Sequence, residues 1–375
     1  MRHFFIRLFI ALTLPWLAHA QPLAVTANTV TIHHIGPFVG QLAESNAEAL
    51  RGAELYFEQV NAAGGVNGRR VAMEKLDDKQ DGKASGLLFK KLIDQRQVLA
   101  LFMPRTTPST QALMSLAEEA GIPLLASQSG AAFITEPLKP HVFALRASYQ
   151  DEVVSLIQLM HSTGIRRFGF LAATDAYGKD VMEGAQRALK ELKLEAASVQ
   201  PVDQKTPEVA DAVTQMLAAN PQVVILIAGV KGATDFVKLY RSKGGTAQFA
   251  ALSNNGSASF VNALGDHKRG VIVTQIVPTP FRRNKQFVRE YVTMMETNKL
   301  PPSFVSLYGY LSAKVLVEGL RRAGRDLTPD KLTTALQGLG TYDLGDFLVE
   351  FGPQRRQGTK FVEASIIGAD GRFTN

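Results

Sequence analysis

Cysteine is absent from all 375 residues of the chain. The protein can therefore form no disulfide, and it has no thiol to act as a nucleophile or as a zinc ligand. Small exported proteins often depend on disulfides, but a chain of this length can bury a core large enough to fold without them. We expect the fold to be held by its core alone.

The common catalytic and nucleotide-binding motifs are also missing. The chain contains no H-E-x-x-H, no G-x-S-x-G nucleophile elbow, no P-loop and no G-x-G-x-x-G after a predicted strand. Most of the seven histidines are scattered, and His33-His34 falls in a predicted strand, where adjacent side chains point to opposite faces. We expect no metal ion and no cofactor, and an enzyme is disfavoured.

No apolar run is long enough to span a bilayer. Near the N-terminus, Arg2 and Arg7 precede a short apolar run over residues 8–17, which is followed by Ala18-His19-Ala20. This pattern predicts a cleavable secretory signal peptide over residues 1–20. A buried first helix is the alternative. No cysteine follows the run, so we expect no lipid anchor.

Positive charge is in excess, but it is not concentrated. The formal net charge is +7, and the basic residues occur as separated pairs such as Arg69-Arg70, Arg166-Arg167 and Arg355-Arg356. Scattered pairs are typical of a solvated surface, whereas a nucleic-acid site needs a basic patch or stripe. We expect no nucleic-acid partner.

The stretch from residue 30 to residue 78 predicts a strand, a helix and a second strand. Residues 30–35 and 71–76 read as strands, and residues 47–60 carry apolar side chains at roughly helical spacing. Gly64-Gly65 ends the helix, and Asn67-Gly68 adds a turn. One βαβ unit results.

The same alternation continues in two series, over residues 30–146 and 167–275, which predict two α/β domains. Residues 283–298 and 304–323 look helical and do not make a third domain. Near the end, residues 347–351 and 361–367 look like two strands joined by a turn at Gly352-Pro353.

Hydroxyl-rich loops follow two consecutive buried strands, at residues 105–110 and 126–130. Ligands of open α/β sheets bind beyond the carboxyl ends of the strands, and hydroxyls and backbone N–H groups there suit an anion such as a carboxylate. Alternatively, these side chains only form turns and caps, with Ser109 or Thr110 capping the next helix.

Three motifs together resemble the leucine/isoleucine/valine-type periplasmic binding proteins, the substrate-binding components of ABC importers. They are GAELYFEQVNAAGGVNGRRVAMEKLDD at residues 52–78, PSTQALMSLAEEAGIPLLASQSG at 108–130 and LAATDAYGKD at 171–180. The resemblance extends over nearly all of the chain after the signal peptide.

The resemblance implies a type I periplasmic binding fold, with two doubly wound, Rossmann-like α/β lobes joined by a hinge of three crossovers. The first lobe would comprise residues 22–146 and 277–345, and the second residues 147–276 and 346–375. It also implies a periplasmic protein, expected to be a monomer, that closes over a small ligand and delivers it to an ABC permease in the inner membrane.

Carried over by position, the resemblance places the ligand carboxylate at a hydroxyl and a following loop of the first lobe, and an aromatic residue in the second. The candidate ligand-binding residues are Thr107, Gln128, Ser129, Gly130, Asp151, Asp175, Tyr177, Ser253 and Asn254.

One position departs from the family pattern. Amino-acid-binding members commonly place an acid in the second lobe to bind the ligand ammonium, and the matching loop here is Ser253-Asn254-Asn255. Asp151 and Asp175 are the acids expected nearby. The ligand is therefore an amino acid held differently, an amide, or a carboxylate without an amine.

Two other functions remain open from the sequence. The same fold serves as a ligand sensor that presents its closed form to a membrane receptor. An exported α/β hydrolase is the third hypothesis, although it would need an activated nucleophile that we do not find.

Overall fold

Two separate sheets, one parallel and one mostly parallel, are the framework of the computed structural model, which describes residues 24–374. The predicted signal peptide at residues 1–20 lies outside the described residues. Among residues 24–374, no helix combines the length and apolar character needed to cross a bilayer.

The first sheet has five strands in the order β2-β1-β3-β4-β5, and all of its pairs are parallel. Its strands are β1 (Thr29–Gly36), β2 (Arg70–Asp77), β3 (Leu101–Phe102), β4 (Leu124–Leu125) and β5 (Val142–Phe143). The predicted strands at residues 30–35 and 71–76 are confirmed as β1 and β2.

The second sheet has seven strands in the order β14-β13-β10-β9-β8-β6-β7. Strands β6 to β10 are parallel, whereas β13 and β14 are antiparallel. Its strands are β6 (Phe168–Ala173), β7 (Ala196–Val202), β8 (Val223–Ile227), β9 (Gln248–Ala251), β10 (Ile272–Gln275), β13 (Glu363–Ile367) and β14 (Phe373–Thr374), and a separate two-stranded ribbon comprises β11 (Gly340–Asp343) and β12 (Leu348–Phe351).

Eleven α-helices connect and cover these strands within the described residues. They are α1 (Ala43–Ala62), α2 (Gly82–Asp94), α3 (Thr107–Ala120), α4 (Tyr149–Ser162), α5 (Ala176–Glu191), α6 (Ala210–Ala219), α7 (Val230–Ser242), α8 (Ala258–Leu264), α9 (Gln286–Thr297), α10 (Phe304–Ala323) and α11 (Pro329–Gln337). After β10 the chain returns to the first sheet, where α9, α10 and α11 share a core with α1 and β1.

The chain passes between the two sheets three times. The first crossover joins β5 to α4, the second joins β10 to α9, and the third joins β12 to β13. At the third crossover our expectation was wrong: we expected residues 346–375 in the second lobe, but Phe351 contacts Phe143 of β5, with 5.4 Å between the ring centroids, and Val349 lies in the first core. The crossover therefore follows Phe351.

The two tail strands also do not form the expected hairpin. β12 pairs with β11, and β13 pairs antiparallel with β10 in the other sheet. The sequence also predicts no strand at β7. This strand is at the edge of its sheet, where one face is exposed, and it contains Pro201, so it lacks the continuous apolar run of a buried strand.

Helices α1 and α10 contact each other backbone to backbone through two glycines. A Cβ atom built at Gly52 would overlap the carbonyl oxygen of Ser306, and one at Gly309 would overlap the carbonyl oxygen of Ala49. The two helices are therefore closely packed, and neither position has room for a larger side chain.

We predict that Gly309→Ala lowers the free energy of unfolding by about 1–3 kcal/mol, because the new methyl group would force the helices apart. Urea denaturation at constant slope measures the change. Gly86→Ala in α2 is the matched control: its Cβ would meet nothing closer than 3.9 Å, and alanine should raise the stability by about 0.5–1 kcal/mol. Equal effects of the two substitutions would contradict this account of the contact.

Candidate functional site

A cavity of about 340 Å³ lies where loops from both sheets meet. This volume is within the range of small-molecule sites. Its walls follow the carboxyl ends of strands in both sheets, as expected for parallel sheets. The lining residues are Gln41, Leu42, Gln80, Asp81, Gly82, Arg105, Thr106, Thr107, Pro108, Tyr149, Thr174, Asp175, Tyr177, Asp203, Gln204, Lys205, Gly229, Asn254 and Asn255.

Four helix N-termini face this cavity. The N-cap residues of α2, α3, α5 and α7 are Asp81, Thr106, Asp175 and Gly229, and all four line it. Helix N-termini carry partial positive charge and free N–H groups, which favour anions. Two of the four already carry an aspartate cap, whereas α3 and α7 have no acidic cap, so the excess of positive charge lies at their N-termini.

On the first-lobe side, the predicted hydroxyl of Thr107 lies in the cavity wall. Its Oγ1 is 2.7 Å from Oγ of Ser129, which is fully buried behind it. The expected cap at Ser109 or Thr110 was wrong. Thr106 caps α3 by accepting from the Ser109 N–H at 3.1 Å, because Pro108, which has no N–H, fits the first helical turn.

On the second-lobe side, Tyr177 and Asn254 lie in the cavity wall together. The Tyr177 hydroxyl donates to Oδ1 of Asn254 at 3.0 Å. The rings of Tyr149 and Tyr177 meet edge to face with 4.9 Å between their centroids. Asp175 also lines the cavity, and its Oδ1 caps α5 by accepting from Gly178 N–H at 3.2 Å.

Gln128 and Ser253 border a second, smaller cavity of about 30 Å³ beside the first. Gln128 is committed to the scaffold: its Nε2 donates to Oδ1 of Asn46 at 3.0 Å. Asn46 Nδ2 in turn lies 3.1 Å from Nε2 of His34. Burial lowers the pKa of His34 to about 4, so this histidine is neutral and accepts from Asn46.

Gly130 lines neither cavity but makes room for an arginine. A Cβ there would meet Nε of Arg146 at 2.8 Å, so only glycine allows this approach. Asp151, one of the two acids expected near the ligand, is also absent from both cavity walls. Its Oδ2 accepts from Ser148 at the start of α4 and from Gln357 Nε2 at 2.9 Å, so it is a capping residue.

The model of the periplasmic binding protein family matches residues 29–365. The chain belongs to this family.

A substrate-binding periplasmic protein from Ralstonia solanacearum has a similar structure, with a TM-score of 0.84 at 31% identity, over 92% of this chain and 99% of that chain. The "possible leucine/isoleucine/valine-binding protein" of Rhodopirellula baltica SH 1 has a TM-score of 0.88 at 24% identity, over 95% and 98%. Leu/Ile/Val-binding protein homolog 7 of Brucella abortus is 24% identical over 352 residues, 88% of this chain and 86% of that protein.

The periplasmic binding protein therefore has the type I fold of two α/β lobes, and it is a substrate-binding protein of a family whose members bind ligands and are not enzymes. No group of three or more histidine, aspartate or glutamate side chains in the described part of the chain is arranged to hold a metal ion.

A buried ion pair joins the parts of this binding protein at the first crossover. Arg146 follows β5, and its guanidinium pairs with Glu152 of α4. The same carboxylate accepts from the Ser253 N–H at 2.9 Å and from the Thr274 hydroxyl of β10. Arg146 NH1 also donates to the carbonyl of Gln128 at 2.6 Å.

Neither member of this pair was found from the sequence, because both lie on segments that were assigned as strand and helix. Burial opposes the charge on Arg146, but the neighbouring Glu152 outweighs it, and the pKa of Arg146 is raised above the usual arginine value. The first lobe, α4 and the loop after β9 are thereby linked through one carboxylate.

Arg105 was also missed as a site residue, although it stands in the predicted hydroxyl-rich loop. Its side chain is 8% exposed and borders both cavities. The sequence did contain a signal for it, because Arg105 is a charged residue that directly follows a buried strand and precedes a helix N-terminus.

We predict that Glu152→Gln lowers the free energy of unfolding by about 3–5 kcal/mol, because Arg146 would remain buried without its counter-ion. Chemical denaturation measures the loss. Asp94→Asn breaks an exposed ion pair with Lys90 and is the control, with an expected change within about 0.5 kcal/mol. A loss below 1 kcal/mol for Glu152→Gln would show that the network does not join the lobes.

Proposed function

We propose that this protein is the extracytoplasmic receptor of an ABC importer, which captures a small carboxylate-bearing or amide ligand between its lobes and delivers it to a permease in the inner membrane. The observation that carries the proposal is the cavity of about 340 Å³ walled by loops of both lobes. A ligand held there would contact both lobes at once and would favour the closed arrangement.

Two hydrogen bonds between the lobes support closure over this site. Ala258 N–H donates to Oε2 of Glu48 at 3.2 Å, and Ala132 N–H donates to Oδ1 of Asp180 at 2.8 Å. Both hydrogen bonds would break if the lobes rotated apart about the three crossovers. Ligand contacts across the cavity would add to these few bonds and shift the equilibrium toward closure.

The proposed ligand-binding residues form two groups, those that line the main cavity and those that lie behind its wall. Thr107, Tyr177 and Asn254 have polar groups in the cavity wall, and Asp175 lines it as a cap. We propose these as contact residues. Gln128, Ser129, Gly130 and Ser253 would support them from behind, through hydrogen bonds and a close packing contact.

The relatives support a ligand of the amino-acid class or one close to it, since several are named as amino-acid or Leu/Ile/Val-binding proteins. We further propose periplasmic export by the predicted signal peptide, a monomeric state, and binding without chemical turnover. The lobes would comprise residues 24–146 with 277–351, and residues 147–276 with 363–374.

The direct test is mass spectrometry of small molecules released from protein purified without refolding, together with a thermal-shift screen of amino acids, organic acids and amides. We expect at least one compound to raise the melting temperature in a concentration-dependent way. If nothing copurifies and no compound stabilises the protein, the proposed function is wrong.

We predict that Thr107→Ala and Tyr177→Ala each weaken the tightest ligand of that screen by about 10-fold, since each removes one polar contact from the cavity wall. Isothermal titration calorimetry measures the affinity. Thr214→Ala, on the exposed face of α6, is the control and should bind normally. Unchanged affinity in both cavity variants would refute this placement of the site.

A further inference from the structure

The cleft contains two buried arginines, and they differ in how their charge is compensated. Arg146 pairs with Glu152, donates to two backbone carbonyls and stacks over Tyr149, with 4.6 Å from its central carbon to the ring centroid. Arg105 has none of these partners. The contrast is local, because both guanidinium groups border the same small cavity.

Arg105 makes one hydrogen bond, from NH2 to Oγ of Ser45 at 3.2 Å. Its Nε is buried without a hydrogen-bond partner, and it forms an ion pair with no carboxylate of residues 24–374; Glu48 acts on its charge only from beyond ion-pair distance. Burial lowers the pKa of Arg105 from the usual arginine value, and a guanidinium keeps its charge in proteins. A buried cation without an anion is costly, so a protein that keeps one implies a missing counter-ion.

The position of Arg105 indicates where that counter-ion binds. The residue ends the strand-to-helix turn between β3 and α3, next to the cap Thr106, and it lines the main cavity. α3 has no acidic residue in its first turn. The guanidinium and the positive end of the helix therefore add their fields at one wall of the cavity.

The carboxylates around the cavity are committed elsewhere. Among its described lining residues the acids are Asp81, Asp175 and Asp203, and each accepts from backbone N–H groups of its own turn. None of the three is buried. The second-lobe loop offers Asn254, which accepts from Tyr177, and Asn255, which donates to the carbonyl of Ala228 at 2.9 Å and whose Oδ1 is buried without a hydrogen-bond partner.

We propose that the ligand of this site is a carboxylate that carries no ammonium group, and that Arg105 binds its carboxylate. The proposal rests on the proposed function, because it names the class of ligand that the cavity takes. An ammonium in the same cavity would meet the uncompensated charge of Arg105 and would find no buried carboxylate to pair with. A guanidinium instead matches a carboxylate with parallel N–H bonds.

The first test uses matched sets of compounds that share one carbon skeleton: valine, isovalerate and isovaleramide; phenylalanine, hydrocinnamate and hydrocinnamamide; glutamate, glutarate and the diamide glutaramide. Calorimetry or thermal shift gives the affinities, with inorganic phosphate as a further arm. In each set that binds, we expect the carboxylate without an amine to bind at least about 10-fold more tightly than the amino acid.

Each outcome decides the proposal. An amino acid that binds as tightly as its deaminated partner, or phosphate that binds more tightly than every carboxylate, overturns the inference while the proposed function stands. A copurifying ligand is identified by mass spectrometry, and an ammonium group in it also overturns the inference. Absence of any copurifying or binding compound overturns the proposed function itself.

The second test is Arg105→Met, with Arg146→Met as the matched control. Arg105→Met should weaken the carboxylate by about 100-fold and bring its affinity close to that of the amide with the same skeleton. The melting temperature of the unliganded variant should not fall, because an unpaired buried charge is removed. Arg146→Met should lower it, because Glu152 is left buried without its partner.

A structural role for Arg105 would show the opposite pattern. Destabilisation of unliganded Arg105→Met to the extent of Arg146→Met would overturn the inference, as would an unchanged preference for carboxylate over amide. Arg105→Lys keeps the charge and loses the planar fork. It should fold normally and retain a preference for the carboxylate at an affinity between those of the wild type and Arg105→Met.

Discussion

Parallel pairing is the constraint on which the site depends. In a parallel sheet every strand runs the same way, so every loop that follows a strand emerges at one edge. Both sheets of this protein are parallel through their centres, and their carboxyl edges face one cavity. Residues from widely separated parts of the chain, such as Gln41 and Asn254, therefore line the same cavity.

The distribution of buried charge then distinguishes scaffold from binding surface. Arg146 and Glu152 compensate each other and tie the first crossover to α4 and β10. His34, Asn46 and Gln128 form a neutral buried chain linked by hydrogen bonds. Arg105 lies between these two satisfied networks without an anion, and that incompleteness is what indicates an exogenous carboxylate.

Closure and rigidity are divided between different parts of the fold. The first lobe is close-packed where α1 and α10 meet through Gly52 and Gly309. Between the lobes, hydrogen bonds such as those at Glu48 and Asp180 accompany a buried apolar cluster that includes residues of both lobes. Rotation of the lobes about the crossovers would leave the core of each lobe intact and act on this shared contact.

The sequence by itself determined the regular elements and the family. Strand β8 at Val223–Ile227 and helix α10 at Phe304–Ala323 begin and end where the sequence predicts. The spacing of apolar residues within each segment was enough to indicate its type and extent. The hydroxyl-rich loops could be expected at the cleft because they directly follow buried strands of a parallel sheet. Edge strand β7 escaped prediction because half of its side chains face water.

Only the tertiary structure decided which polar side chains are satisfied. Asp151 looked like a cleft acid in the sequence and became a cap, because Ser148 and Gln357 lie within its reach. The third crossover follows Phe351, later than expected, because the ring of Phe351 packs on Phe143, more than two hundred residues earlier in the chain. Arg105 could be seen in the sequence as a charged residue of its loop. Whether an arginine has a counter-ion depends on residues that folding brings together, so no local sequence pattern could predict it.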